Sequence, residues 1–223
     1  MSELLKERGI HMIRNLLASV FVFGCAATAS AADVVVESGA AAYNWSGVYV
    51  GGALGYESLE ANDVTFGDGW ADDGGFSGAI YGGYNYQYAN WVFGVEGDVK
   101  FGNAEVNDGD FLLPLESRVA GSIRGRVGYA FDNIMPYVTG GLAIGSFRAD
   151  HEGDGDSDDF ATETLTGYTV GGGIEWGATE NLVVRAEYLF SDYGKNDFTF
   201  YDNDVHEIEV RTHDVRIGLA YKF

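Results

Sequence analysis

The chain has 223 residues, with 34 acidic side chains against 13 basic ones and a formal net charge of −21. That balance excludes a nucleic-acid partner, which needs clustered cations along its phosphates, and favours divalent or other cations instead. A single cysteine excludes a disulfide scaffold.

Residues 1–31 read as a secretory signal peptide. Lys6, Arg8 and Arg14 give a basic start. Residues 16–24 are an apolar run too short to span a bilayer as a helix, and Ala29-Ser30-Ala31 is a small-x-small cleavage pattern ahead of Ala32. Met12 is a sufficient start by itself, which makes residues 1–11 an untranslated extension if it is used. Cys25 lies in this segment, and Phe23 is too large for a good lipoprotein box at that cysteine. Cleavage removes Lys6, Arg8, Arg14, Glu3 and Glu7, leaving ten basic and thirty-two acidic residues. No later stretch approaches eighteen continuous apolar residues. The remaining way across a membrane is a closed barrel, because only closure satisfies every backbone group in lipid.

Residues 32–44 are expected to form a short periplasmic tail. Residues 45–223 are expected to be all-β, an eight-stranded antiparallel transmembrane barrel. The strands are predicted at about 45–56, 75–87, 91–102, 115–130, 136–147, 165–177, 182–191 and 205–223. Connections after the first, third, fifth and seventh are long; those after the second, fourth and sixth are short. Strict alternation puts every long loop on one side and every short turn, with both termini, on the other, as in outer-membrane barrels. A Greek-key sandwich has no reason to produce it.

Alternate positions within a strand face opposite sides of a sheet. In the third strand Trp91, Phe93, Val95, Val99 and Phe101 alternate with Gly94, Glu96, Asp98 and Lys100. In the fourth, Val119, Ile123, Val127 and Tyr129 alternate with Arg118, Ser122, Arg124 and Arg126. The seventh sets Leu182, Val184, Ala186, Tyr188 and Phe190 against Arg185, Glu187 and Ser191. The apolar set is assigned to lipid and the polar set to the lumen. The predicted lumen charges are Glu96, Asp98, Glu175, Glu187 and Asp214 against Lys100, Arg118, Arg124, Arg126, Arg185, Arg216 and Lys222. Charges poor in water must pair, and five acids against seven bases nearly do. Trp45, Tyr84, Tyr86, Trp91, Tyr129, Trp176, Tyr188, Tyr221 and Phe223 are expected to form an interfacial girdle. The acidic surplus is placed in the outer loops 57–74, 103–114, 148–163 and 192–204, which hold twenty of the thirty-two acids.

The segments Trp45–Tyr56, Pro136–Ala143, Gly167–Glu175, Ala186–Phe190 and the terminal Tyr221-Lys222-Phe223 resemble the small outer-membrane barrel proteins of alphaproteobacteria. These are related to the OmpA/OmpX/opacity-type eight-stranded barrels. The resemblance covers residues 45–223 and implies a surface protein of the Gram-negative outer membrane. It implies roles in envelope integrity and host contact, lipid and lipopolysaccharide as surroundings, and haemin binding in some members. It also implies that Tyr221 and Phe223 belong to a signal read by the barrel-assembly machinery. It assigns no ligand.

Catalytic motifs are absent: the sequence has no GxSxG, no HExxH and no phosphate-cradling loop. His206 and His213 near the top of the last strand have opposite parity, so no rim triad is expected. No cofactor is expected. Asp154, Asp156 and Asp158 resemble the opening of a calcium loop, but the sixth place is Asp159 and the twelfth Leu165, where glycine and glutamate are needed. They are weak cation ligands at most. The reading is therefore a structural wall element that presents acidic loops outward. A haemin- or cation-binding receptor is the alternative, and a small-pore porin is disfavoured because eight strands leave little more than side-chain space inside.

Overall fold

The computed structural model describes residues 43–63, 71–102, 105–106, 115–150, 160–199 and 205–223. Eight long strands run Gly47–Asp63 (β1), Ala71–Tyr88 (β2), Trp91–Gly102 (β3), Leu115–Tyr129 (β4), Ile134–Asp150 (β5), Phe160–Gly177 (β6), Leu182–Thr199 (β7) and Val205–Lys222 (β8). A two-residue strand, Glu105–Val106, adds to the start of β4. Each strand pairs antiparallel with its sequence neighbours, and β1 pairs with β8, so the sheet closes on itself. Closure removes the free edges along the paired length of the eight long strands, so their backbone groups there are satisfied within the sheet.

Burial follows the period of two that the sequence set. In β3 Val92, Glu96 and Lys100 are buried while Trp91, Phe93, Val95, Val99 and Phe101 are exposed. In β8 Val210, Thr212, Asp214, Arg216 and Ala220 are buried while Val215, Ile217, Leu219 and Tyr221 are exposed. The interior is thus the polar side and the exterior the apolar side, the reverse of a water-soluble sheet.

The short turns lie at one end: Ala89-Asn90 between β2 and β3, residues 130–133 between β4 and β5, and residues 178–181 between β6 and β7. Residues 43–46 and Phe223 lie at the same end, where the Phe223 amide donates to the Val48 carbonyl at 2.9 Å. At the other end the strands run further than expected. β1 continues seven residues past Tyr56, to Asp63, and β7 continues past Ser191 to Thr199. Much of the presumed loops 57–74 and 192–204 is therefore strand, and their acids are not all loop acids. The β7 extension passes a bulge between Asp192 and Lys195. There Gly194 takes φ +68°, a left-handed conformation that suits glycine, and its amide donates to Asp192 Oδ1 at 2.8 Å. The signal peptide, the residues 32–42 of the tail and the Asp154, Asp156, Asp158 cluster lie outside the described residues.

Candidate functional site

The barrel interior is filled in layers. At the turn end Trp45 is buried, 1% exposed. It packs in an apolar cluster with Val92, Ala130, Met135 and Val183, against Tyr43. Its Nε1 donates to the Asp132 carbonyl at 2.9 Å, and its amide to Gln87 Oε1 at 2.8 Å. Trp45 is therefore a stopper inside the barrel mouth and not part of the outer girdle. It sits two residues before β1 begins, on the same parity as the inward Tyr49 and Ala53, so the alternation of β1 already places it inside.

Above the stopper, Tyr49, Tyr81 and Tyr137 point inward and are buried. Glycines on adjacent strands make room for these rings. A Cβ on Gly51 would lie 2.6 Å from Tyr81 Cζ, and one on Gly173 would lie 2.9 Å from Tyr137 Oη. Two guanidinium groups lie over the rings: Arg126 is 4.1 Å from the Tyr137 centroid and Arg185 is 4.2 Å from that of Tyr81.

The charge layer lies at this level and above it. Glu96 accepts from Arg124 Nη2 and Arg185 Nη2 at 2.6 Å each, and from the Tyr49 hydroxyl at 2.7 Å. Glu175 meets Arg185 at 2.6 Å and Arg126 at 2.9 Å. Glu187 accepts from Arg216 Nε at 2.7 Å, from the Tyr137 hydroxyl at 2.7 Å and from Arg124 at 3.3 Å. Asp98 pairs with Arg216 at 3.1 Å and with Arg124 at 3.4 Å, and accepts from Ser122. These carboxylates and guanidiniums are nearly inaccessible to solvent. Three pairs, Glu96–Arg124, Glu175–Arg185 and Glu187–Arg216, face each other directly across neighbouring strands. The links Arg185–Glu96 and Arg124–Glu187 cross the lumen. Such transverse pairs fix opposite walls to each other.

Two changes to the predicted charge set follow. Glu57, assigned to a loop, is fully buried on the inner face of β1 and pairs with Lys100. The signal was present: Tyr49, Ala53 and Glu57 share one parity. Lys222, assigned to the lumen, instead donates to the Asn44 carbonyl at 2.5 Å at the turn end. The Arg118 side chain lies outside the described residues, at a bulge where β4 slips against β5 between Ser117 and Val119.

Near the outer strand ends the lining turns apolar again, with Leu59, Phe147, Leu165, Leu189, Tyr193 and Val210 all buried. Phe147 and Tyr193 meet edge to face at 5.0 Å. Between this layer and the charges lies a cavity of about 20 Å³, bounded by Asp98, Ser122, Ser191, Tyr193, Asp214 and Arg216. That is room for about one water. The arrangement can brace a wall, because packed side chains fill the described lumen.

On the outside, Val50, Leu54, Ile80, Ile123, Leu142, Ile217 and Leu219 form an exposed apolar band. Tyr84, Tyr86, Trp91, Trp176, Tyr221 and Phe223 flank it at the turn end, and Tyr56, Phe76, Tyr168 and Tyr188 toward the outer end. His213 is on this outer face. Its Nδ1 bonds the Tyr188 hydroxyl at 2.7 Å and its Nε2 lies 3.6 Å from Glu60. Among the described residues no group of three or more histidine, cysteine or carboxylate side chains could hold a metal ion.

A closed eight-stranded barrel with an apolar belt and a packed polar lumen is an integral outer-membrane protein. Consistent with this, the family model for the outer membrane protein beta-barrel domain matches residues 17–223, and the chain belongs to that family. It is 32% identical over 217 residues to the 25 kDa outer-membrane immunogenic protein of Brucella abortus, covering 93% of this chain and 97% of that one. It is 35% identical over 186 residues to a 22 kDa outer membrane protein of Rhizobium leguminosarum, covering 81% and 79% respectively. Among solved structures it is similar to Neisserial surface protein A, at TM-score 0.49 and 23% identity, covering 80% of this chain and 98% of that one.

Proposed function

We propose that this protein is a non-enzymatic structural element of the outer membrane that braces the envelope and presents acidic segments to the surroundings. The observation that carries the reading is the stoppered lumen, with Trp45 at one end, Phe147 and Tyr193 toward the other, and paired charges between. A transporter or porin needs a water path, and this interior is occupied. A rim catalyst needs an acid, base or nucleophile facing a substrate; the described lumen carboxylates are instead held by arginines or a lysine. The immunogenic naming of the Brucella relatives supports exposure of the outer segments to a host. Tyr221 and Phe223, outward and 5.0 Å apart, supply the terminal aromatic pattern that the assembly machinery would read.

Planar-bilayer recording tests the reading. The purified barrel should show no stable porin-like conductance, and Trp45→Ala should not by itself open one, because the charge layer still fills the lumen. A large, stable current through the wild-type barrel would overturn the proposal. Titration of the same preparation with haemin, read by its absorption band, should show no saturable site; a stoichiometric complex would make the receptor reading the correct one.

A further inference from the structure

The wall of the barrel parts on one side. β6 and β7 are paired from Gly177–Val183 up to Tyr168–Asp192 and no further. Both strands continue beyond that pair, β6 as residues 160–167 and β7 as residues 193–199. Each continuation is paired on its other side, β6 to β5 as far as Asp150–Phe160 and β7 to β8 as far as Thr199–Val205. Two hairpins thus rise side by side with a seam between them. The bulge of β7 between Asp192 and Lys195, with its left-handed Gly194, lies where the pairing stops. The seam opens above the outward Tyr168 and Tyr188, on the outer side of the membrane.

The seam exposes backbone and not only side chains. An antiparallel strand sends both backbone groups of alternate residues to the same neighbour. The Phe190 carbonyl faces β6, where it accepts from the Thr169 hydroxyl at 3.1 Å. Phe190 and its partner Val170 are therefore a hydrogen-bonded pair, and so are Asp192 and Tyr168. The same alternation turns the amide and carbonyl of Thr166, Thr164, Thr162 and Phe160 toward the seam. Among the described residues no strand pairs with them there.

Strand edges are commonly blunted by charge, by glycine or by a bulge. The seam side of β7 has its bulge. The outer part of β2, residues 71–76, runs beyond the last β2–β3 pair, Ser77–Gly102, and reads Ala-Asp-Asp-Gly-Gly-Phe. Residues 160–166 of β6 read Phe-Ala-Thr-Glu-Thr-Leu-Thr, with one charge, no glycine and three β-branched threonines that favour a strand. Their register with β5 is unbroken. This edge is left open as a template.

A row of alternating donors and acceptors at strand spacing is matched by another peptide backbone, so the occupant is an extended polypeptide. A second copy of the barrel does not fit. Two copies facing each other in one membrane are related by a half-turn about its normal. Their β6 strands would tilt in opposite senses, at about 40° each, and would cross at about 80°. Charge narrows the choice further. Residues 151–159, which lead into β6, contain five acids and no lysine or arginine, in a chain of net charge −21. A basic segment is drawn to such a surface and an acidic one is repelled.

We propose that the seam edge of β6, residues 160–166, is a docking site for an extended basic peptide from outside the cell, which adds to it as a further strand. The inference goes beyond the structural role and does not depend on it.

Fluorescence anisotropy on the purified barrel tests it. The probe is a labelled octapeptide of alternating lysine and valine. A second probe is the same peptide N-methylated at every amide, which keeps the charge but cannot donate to a ladder. A third replaces lysine by glutamate. The first should saturate one site, and the other two should bind at least about tenfold more weakly, the scale of one or two lost backbone hydrogen bonds. Thr164→Pro removes an amide from the seam edge and none from the ladder to β5, and should weaken the first probe by about tenfold. Heat-modifiable mobility shows that this variant is folded. A photo-crosslinker on the first probe should mark residues 160–166 of the wild-type barrel, which locates the site without any substitution. Equal binding of the N-methylated peptide would mean charge attraction alone and would overturn the proposal. So would the absence of saturable binding, or cross-links that fall elsewhere. Barrel dimers cross-linked through residues 160–166 would also overturn it, since a second copy would then be the occupant.

Discussion

Arg124 shows what the charge layer does at the scale of one residue. Its side chain is fully buried and lies within 3.4 Å of three carboxylates, on Glu96, Asp98 and Glu187. Removing it leaves those acids short of compensation in a place water cannot readily reach. Breaking one partner of a buried ion pair typically costs about 3–5 kcal/mol, whereas an exposed charge contributes little. Arg124→Ala should therefore unfold at a clearly lower urea midpoint than wild type, while Asp154→Ala should not; equal midpoints would mean that the layer is not stabilising. A second residue is strained and not paired. Ala89, in the two-residue turn before Trp91, has φ +54°, where a side chain costs about 1–2 kcal/mol and glycine costs none. Ala89→Gly should raise stability by about 1 kcal/mol. A neutral or destabilising result in the same urea titration would show the turn to be relaxed. The two sites differ in legibility. Inward parity alone placed Glu96, Asp98, Arg124, Arg126, Glu187 and Arg216, but not which arginine meets which acid across the lumen. That depends on shear and strand tilt, which no local pattern encodes. The left-handed Ala89 gave no signal, because alanine is not a residue that advertises such a turn.

At the scale of elements, the strands were legible where alternation was clean and misread where it was hidden by charge. β3 begins and ends where the pattern put it, at Trp91 and Gly102. The sequence pattern ends β1 at Tyr56 and assigns Glu57, Glu60 and Asp63 to an outer loop. In the barrel Glu57 keeps the inward parity and pairs with Lys100, and Leu59 beside it is buried. Lumen-facing strands admit charges that a soluble strand would expel, so acidity is a poor end marker here. Glu57→Gln should keep the shape but lose the pair, leaving Lys100 near Asp214 at 3.9 Å. Its cost should be smaller than that of Arg124→Ala, because Asp214 remains; a larger loss in the same denaturation series would contradict that order. The last strand carries a different test. β8 closes the barrel against β1, and Phe223 sits outward just beyond its last residue, Lys222, with its amide bonded to Val48. A chain ending at Lys222 should be exported normally but should accumulate less folded barrel in the outer membrane. Fractionation with a heat-modifiability assay reads this, and normal amounts of folded protein would remove Phe223 from the assembly signal.

For the whole molecule the question is where the surplus of negative charge acts. The described lumen holds six acids, Glu57, Glu96, Asp98, Glu175, Glu187 and Asp214, against Lys100, Arg124, Arg126, Arg185 and Arg216. Pairing there is nearly even, so the net charge of −21 belongs largely to residues outside it. Residues 151–159 alone contain Glu152, Asp154, Asp156, Asp158 and Asp159 with no lysine or arginine. Like charges at this density raise the free energy of a compact surface, and divalent ions reduce the repulsion more than sodium does at equal ionic strength. Because the aspartate run lacks the turn glycine and closing glutamate of a calcium loop, binding should be weak and should not distinguish calcium from magnesium. At a concentration near Kd such a ligand stabilises by about 0.4 kcal/mol, which for a barrel of this size is a rise in Tm of about 1–2 °C. Millimolar calcium and magnesium should therefore raise Tm by similar small amounts. Replacing Asp154, Asp156, Asp158 and Asp159 together by asparagine should abolish most of the increment while leaving the ion-free barrel no less stable. A strong preference for calcium would instead indicate a built site. An increment that survives the fourfold replacement would move the cation's place of action to other acids, such as Glu60, Asp192 and Glu209 on the outer wall of the strands.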